Sequence, residues 1–269
     1  MALVLVTGGT GTLGRLLVTR LDDAGHDVRI LSRRPGPGPE RPRRAGSTGP
    51  ERALRAGSTG RLFQGDLRTG EGLDAAVAGV DVIAHCASSP LRQTDETDVE
   101  GTRRLIAAVT AQAGGALPHL VYVSIVGVDR NPFPYYRRKL QTERVVTESG
   151  LPWTILRATQ FCELLDYTFT AMRVALFALG GVRFQLLDAG ECATRMAELV
   201  DGPPAGRAAD LGGPEVRTMA DLARVYRRAR GWRRPVVPVP AFGKSAAAFK
   251  GGANLCPDNA EGRTTWEQW

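Results

Sequence analysis

Leu3-Val4-Leu5-Val6-Thr7-Gly8-Gly9-Thr10-Gly11-Thr12-Leu13-Gly14 is the stretch on which the reading of this chain turns. A four-residue aliphatic run, short enough for a buried strand, meets glycines spaced Gly-x-x-Gly-x-x-Gly. Leu16-Leu17-Val18-x-x-Leu21 then continues at helical spacing. A strand, a glycine turn and a helix in that order are built to hold a dinucleotide. Gly8 permits the tight turn, and Gly11 puts no side chain in the path of a pyrophosphate. Gly14 lets the helix pack close on the strand, and the helix N-terminus offers unpaired N–H groups to the phosphates. Thr10, Thr12 and Leu13 complete the expected cofactor loop.

Outward from this turn the same alternation repeats. Asp27-Val28-Arg29-Ile30-Leu31-Ser32 reads as a second strand, Leu62 to Leu67 as a short third, and Val80 to Cys86 as a fourth. A helix over about 99–113 precedes a strand at 120–124, a helix at 135–148 and a strand at 153–157. Strands alternating with helices at this interval predict an α/β fold, a Rossmann-type doubly wound parallel sheet. Residues 35–60 break the rhythm with Pro35-Gly36-Pro37-Gly38-Pro39 and a duplicated Arg-Ala-Gly-Ser-Thr-Gly at 44–49 and 55–60. They have too few apolar side chains to offset their ordering entropy and read as a flexible insertion. Beyond Phe161 the alternation weakens: a helical stretch to Leu179, a strand near 184–187, and helices near 192–200 and 219–230. The expected organisation is a cofactor-binding core over 1–160 and a small, integrated substrate-binding cap over 161–269.

Composition narrows the classes. With 269 residues, 43% hydrophobic and 23% charged, the chain matches an ordinary globular protein with a sizeable core. No apolar run approaches the ~20 residues of a membrane span. The N-terminus leads into the glycine turn rather than a cleavage site, so a cytoplasmic protein is expected. Cys86, Cys162, Cys192 and Cys256 form no C-x-x-C pair, and His26, His85 and His119 are equally scattered, so no metal site is expected. Net charge is +7, but only three of the 35 basic residues are lysine and the arginines are spread along the chain. The densest cluster, 226–234, reads as a helix end with a solvated basic face, so neither nucleic acid nor membrane is an expected partner. The expected partner is a small-molecule substrate, and the apolar segment at 174–179 offers a surface for a homodimer.

The end of the second strand bears on the cofactor. An acid is expected there for an unmodified ribose, yet the residues are Ser32-Arg33-Arg34, and Asp27 lies at the opposite end. Two guanidiniums would pair with a 2′-phosphate that a carboxylate would repel, so NADP(H) is favoured over NAD(H). The alternative is that the arginines only lead into the following loop. Further on, Pro134 suits a helix start, and Tyr135 and Lys139, four residues apart, share one face of that helix. An ammonium beside a phenol favours phenolate and so proton transfer. Ser124, at the end of its strand, is placed to bind a substrate carbonyl and steady a developing alkoxide. His85 reads as a packing residue beside the cofactor, with a general base as its rival role.

These motifs together resemble the atypical, NmrA-like branch of the short-chain dehydrogenase/reductase superfamily. The match is carried by residues 7–14, Gly65-Asp66-Leu67, Val123-Ser124-Ile125-Val126-Gly127 and Pro134-Tyr135-Tyr136-Arg137-Arg138-Lys139. Residues 150–161, Leu211-Gly212-Gly213-Pro214-Glu215 and Thr264-Thr265-Trp266 extend it over nearly the whole chain. The resemblance implies that Gly8, Gly11 and Gly14 hold the pyrophosphate and Arg33 the adenosine phosphate, with Asp66 and Leu67 by the adenine. It implies Ala87 and Ser88 along the cofactor, Lys139 on the nicotinamide ribose and Phe161 near the nicotinamide, with Ser124 and Tyr135 as the catalytic pair. Two positions depart from active relatives. His85-Cys86-Ala87-Ser88 replaces an Asn-Ala-Gly, and Asp98-Val99-Glu100-Gly101-Thr102 lacks an asparagine frequent in the following helix. The implied activity is NADPH-dependent reduction of a carbonyl, quinone or activated double bond. The branch also contains NADP(H)-binding redox sensors without turnover, and the same fold serves non-redox epimerases and dehydratases.

Overall fold

The aliphatic run before the glycine turn becomes the centre of a parallel sheet. In the computed structural model, residues 1–33, 60–89, 95–112 and 114–269 are described. β1 (Leu3–Thr7) leads to α1 (Thr12–Asp23), β2 (Asp27–Ser32), β3 (Arg61–Gln64), α2 (Leu73–Val77) and β4 (Val82–His85). A π-helical turn (Asp95–Glu100) runs into α3 (Gly101–Ala111), followed by β5 (His119–Ile125), α4 (Pro134–Thr147) and β6 (Trp153–Ala158). The rest comprises α5 (Cys162–Ala171), β7 (Leu176–Leu179), β8 (Arg183–Gln185), α6 (Ala189–Asp201) and β9 (Gly206–Arg207). β10 (Val216–Thr218), α7 (Met219–Ala229), β11 (Val236–Val239) and α8 (Lys244–Lys250) complete it. Among the described residues one sheet has the order β3-β2-β1-β4-β5-β6-β9, and β10-β8 and β11-β7 form separate pairs. The expected insertion at 35–60 lies, residue 60 apart, outside the described residues.

The chain divides into two compact units. The first holds Met1–Tyr122, Gln141–Ile155 and Ala193–Gly206. Here β1 pairs in parallel with β2 and with β4, β2 with β3, and β4 with β5. Alternation along β1 sends its side chains to opposite faces. Leu5 joins Leu31, Ile83, Leu105, Leu120 and Ile155 in one core. Val6 lies on the other face, where a Cβ at Gly9 would meet Val6, Val18 of α1 and Ile30 together. Helices therefore cover both faces, and the sheet is doubly wound. The register sets Thr7 level with Leu31 and His85, and Ser32 level with Gln64, so the carboxyl ends of four strands make one edge. Ligands of open parallel sheets bind at that edge.

The second unit holds Val123–Leu140, Leu156–Cys192 and Arg207–Trp269. Its core gathers Phe169, Leu176, Ala178, Met219, Leu222, Tyr226 and Trp266. The Trp266 indole N–H donates to the Leu222 carbonyl at 3.0 Å, and the Tyr226 hydroxyl donates to Asp166 at 2.6 Å. The helix expected to run through Leu179 stops at Ala171. Leu176–Leu179 is instead a strand paired with β11, with Leu176 and Ala178 buried and Phe177 and Leu179 turned outward. That is a period of two inside a run of apolar residues, where composition alone cannot separate strand from helix.

Candidate active site

The glycine loop is built in the first unit, with a different reason for each glycine. Gly8 has φ +69°, and a Cβ there would stand 2.7 Å from the Ala87 backbone. A Cβ on Gly14 would fall 2.2 Å from the Gly8 carbonyl oxygen, so helix and loop touch only because that side chain is absent. Gly11 differs: it is the N-cap of α1, extended at φ −82°, and a Cβ there would meet only the Gly8 carbonyl oxygen within 4 Å. No side chain caps this helix, and Thr10, Gly11 and Thr12 are exposed. The first-turn N–H groups, at the positive end of the helix dipole, therefore face outward. Such a cradle fits a pyrophosphate in both size and charge.

Next along the edge, Ser32 is buried at the end of β2, and its carbonyl accepts from the Gly65 N–H at 2.9 Å. Arg33 follows, exposed; Arg34 lies outside the described residues. Asp27 begins β2 opposite Leu3, at the far end of the strand. Asp66 Oδ1 accepts the Arg68 backbone N–H at 2.9 Å, and Oδ2 accepts the Arg68 guanidinium at 3.2 and 3.3 Å. Burial pushes the Asp66 carboxyl up, but Arg68 and the charge of Arg33 hold it below its ordinary value. Leu67 is buried, and its carbonyl accepts from Arg104 at 3.3 Å.

The segment after β4 is held by a polar chain that the sequence did not reveal. Thr102 Oγ1 donates to the Asp98 carbonyl, so toward His85 Nε2, at 2.8 Å, it must accept. His85 Nδ1 is hydrogen-bonded to Thr7 Oγ1 at 2.6 Å, and Thr7 Oγ1 accepts the Ala87 N–H at 3.3 Å. The imidazole is fully buried, with both nitrogens engaged in positioning. The Asp98 carboxylate, 1% exposed, accepts from Ser88 Oγ at 2.7 Å and from the Ser89 N–H at 3.0 Å. Asp98 sits in the π-helical turn, a distortion that frequently marks functional sites. The only sequence signal for it was its departure from the family's asparagine.

In the second unit Ser124 lies near the end of β5, and Tyr135 and Lys139 lie in the first turns of α4. Lys139, 3% exposed, donates from Nζ to the Val123 carbonyl at 3.0 Å, tying α4 to the strand end beside Ser124. Ser124 is buried, and its Oγ has no hydrogen-bond partner among the described residues. A buried hydroxyl in that condition costs stability unless something donates to it or accepts from it. Tyr135 is half-buried, whereas Tyr136 is packed away at 4% exposure with its hydroxyl accepting from Gln160 Nε2 at 2.9 Å. Burial drives the Tyr136 phenol far above its ordinary value. Gln160 in turn accepts from Asn254 at 3.0 Å. Phe161, half-buried, is the N-cap of α5 and bridges to Leu187. Burial pushes the Cys162 thiol up to about 12, and the Cys256 thiol likewise, so neither is a thiolate at neutral pH. Among the described residues no helix is long and apolar enough to cross a membrane.

A glycine-rich turn from strand to helix, at the ligand-binding edge of a doubly wound parallel sheet, defines a dinucleotide-binding protein. Residues 8–163 match the family described as NAD(P)H-binding. The chain is 31% identical over 236 residues to the (4-alkanoyl-5-oxo-2,5-dihydrofuran-3-yl)methyl phosphate reductase of Streptomyces griseus, covering 84% of this chain and 74% of that protein. It is 32% identical over 164 residues to the photosystem II assembly factor Ycf39 of Cyanophora paradoxa, covering 59% of this chain and 45% of that one. The NADPH-dependent quinone oxidoreductase of Escherichia coli, solved with NADPH, shares the fold: TM-score 0.75 at 18% identity, over 98% of this chain and 97% of that one. The chain belongs to the NAD(P)H-binding family.

Proposed function

We propose that this chain is an NADPH-dependent oxidoreductase that reduces a carbonyl, quinone or activated double bond of a small organic molecule. The observation that carries the reading is Ser124 Oγ, buried and unpartnered among the described residues, in the same segment as Tyr135 and Lys139. The match to a Streptomyces griseus reductase over most of both chains supports it. In this reading Gly8, Thr10, Gly11, Thr12, Leu13 and Gly14 take the pyrophosphate, while Ser32 and Arg33, with Arg34, take the 2′-phosphate end. Asp66 and Leu67 border the adenine, and Ala87, Ser88 and Phe161 border the rest of the cofactor. NADP(H) is preferred because a cation, not an acid, follows β2.

NADPH held along this edge would supply a hydride. As the substrate carbon is reduced, charge grows on its oxygen, and Ser124 Oγ–H donates to that oxygen. Tyr135 delivers the proton that completes the alcohol. The Lys139 ammonium stabilises the phenolate left behind, and its anchor on Val123 holds it one helical turn from Tyr135. The test is NADPH oxidation over a panel of quinones, aryl ketones and enones. Turnover by the wild type that falls at least 100-fold in Tyr135→Phe, with NADPH binding retained, is the expected result. Full activity in that variant sinks the assignment.

A second reading, an NADP(H)-responsive binding protein without turnover, is favoured by Asp98-Val99-Glu100-Gly101-Thr102, which lacks the asparagine that active relatives often carry in that helix. It expects tight NADPH binding, no turnover over the whole panel, and a protein partner captured in only one cofactor redox state.

A further inference from the structure

We propose that Arg68 sets the cofactor preference: by closing on Asp66 it cancels that carboxylate and leaves the Arg33 charge to a 2′-phosphate. The inference rests on the NADP(H) reading above. Ser32 and Gln64 are the last paired residues of β2 and β3, and the Gly65 N–H donates to Ser32 O. Arg33 and Asp66 therefore leave neighbouring strand ends on the ligand edge of the sheet. Asp66 follows the end of β3 by two residues, and it is within electrostatic reach of Arg33. Left alone, its carboxylate would draw the Arg33 guanidinium to itself and repel a phosphate.

Arg68 prevents both. Its backbone N–H takes one Asp66 oxygen, and its guanidinium takes the other through two nitrogens. The two side chains are 29% and 19% exposed, so the pair is partly shielded from water. The loop that presents it is closed on itself. Asp66 N donates to Glu71 O at 3.0 Å and Gly70 N to Asp66 O at 2.8 Å. Gly72 takes φ +72°, where a Cβ would stand 2.2 Å from Gln64 O. Arg68 is thus held against Asp66 by the turn rather than by charge alone. With Arg68 in place the Asp66 carboxylate is occupied; without it that carboxylate draws the Arg33 guanidinium away from a phosphate, which an amide in its place would not do. NADH, which brings only ribose hydroxyls to this corner, should not register the difference.

The test is a double-mutant cycle on the purified full-length chain. NADPH and NADH dissociation constants are measured by calorimetry for the wild type, R68Q, D66N and D66N/R68Q, with thermal unfolding of each to confirm folding. The expected result is NADPH binding weakened about five- to tenfold in R68Q, with NADH changed less than about twofold. In the D66N background the same R68Q change should alter NADPH binding by less than about twofold. An equal NADPH loss in both backgrounds overturns the proposal, because Arg68 would then act on the phosphate directly. A parallel loss of NADH also overturns it, since the loop itself would then have failed. Wild-type protein that binds NADH as tightly as NADPH overturns the NADP(H) reading and the proposal with it. A wild-type NADPH preference without coupling overturns the proposal alone.

Discussion

Three glycines that look equivalent in the sequence do different work at the residue scale. Gly14 is required by packing: Gly14→Ala forces a Cβ into the Gly8 carbonyl and should cost about 1–3 kcal/mol of stability, read by urea unfolding. Gly11 has ordinary backbone angles and little around it, so Gly11→Ala should cost clearly less stability while weakening NADPH at least about tenfold by calorimetry. Equal stability losses in the two variants would contradict this division between a packing glycine and a ligand glycine. Asp98 offers a similar contrast. Its two carboxylate oxygens accept from Ser88 and Ser89, and an asparagine would turn an NH2 toward one of those donors. Asp98→Asn should therefore lose about 1–3 kcal/mol. A variant as stable as wild type would show that the carboxylate is not needed to hold this segment.

At the scale of elements, caps and periods explain what formed. α7 starts at Thr218, whose Oγ1 accepts from the Asp221 N–H at 3.1 Å, and ends with Arg227 and Arg228 in its last turn, as the helix dipole favours. Thr218→Ala should cost about 1 kcal/mol in urea unfolding, and Thr218→Ser should recover most of it. The glycine-turn strand and helix, and the strands through β6, were legible because strong apolar runs there end at glycine or polar residues. β7 was not legible: its buried residues alternate within an apolar stretch, and only pairing with β11 distinguishes strand from helix. The π-helical turn before α3 had no signal either, since its distortion accompanies long-range bonds to Ser88 and Ser89.

For the whole molecule, the ionisable groups set a pH profile of stability. His119 is buried, with Nε2 paired to Thr154 Oγ1 at 2.8 Å, and burial holds it below its ordinary 6.5. Below pH 6.5 the unfolded chain therefore binds a proton that the folded chain refuses, and stability falls as pH drops through that range. Asp66, Asp129, Asp221 and Glu267 are also held low. For Asp66 and Asp129 burial opposes the shift and arginine partners overcome it; for Asp221 and Glu267 hydrogen bonds from Thr218 and Arg217 lead. Their contribution is present above the ordinary carboxylate range and disappears as pH falls through the lower folded values. Urea midpoints should thus decline in two steps, first below pH 6.5 and again below about pH 4. His119→Gln should flatten the first step and leave the second.

The sequence by itself determined the fold class and the strand, glycine turn and helix at its start, because each depends on local order: apolar period and turn chemistry. The tertiary structure decided what depends on residues far apart in the chain. It bonded His85 at both nitrogens, seventeen residues from Thr102 and seventy-eight from Thr7, and so made it a strut. It buried Tyr136 against Gln160 while leaving Tyr135 half-exposed, a difference in burial between neighbouring residues. It also closed Arg68 onto Asp66 at the end of β3, two residues apart but dependent on a turn that Gly72 and Gln64 complete. Patterns along a chain record propensity and period; which polar groups lose water, and to whom they then bond, is settled only when the chain has folded.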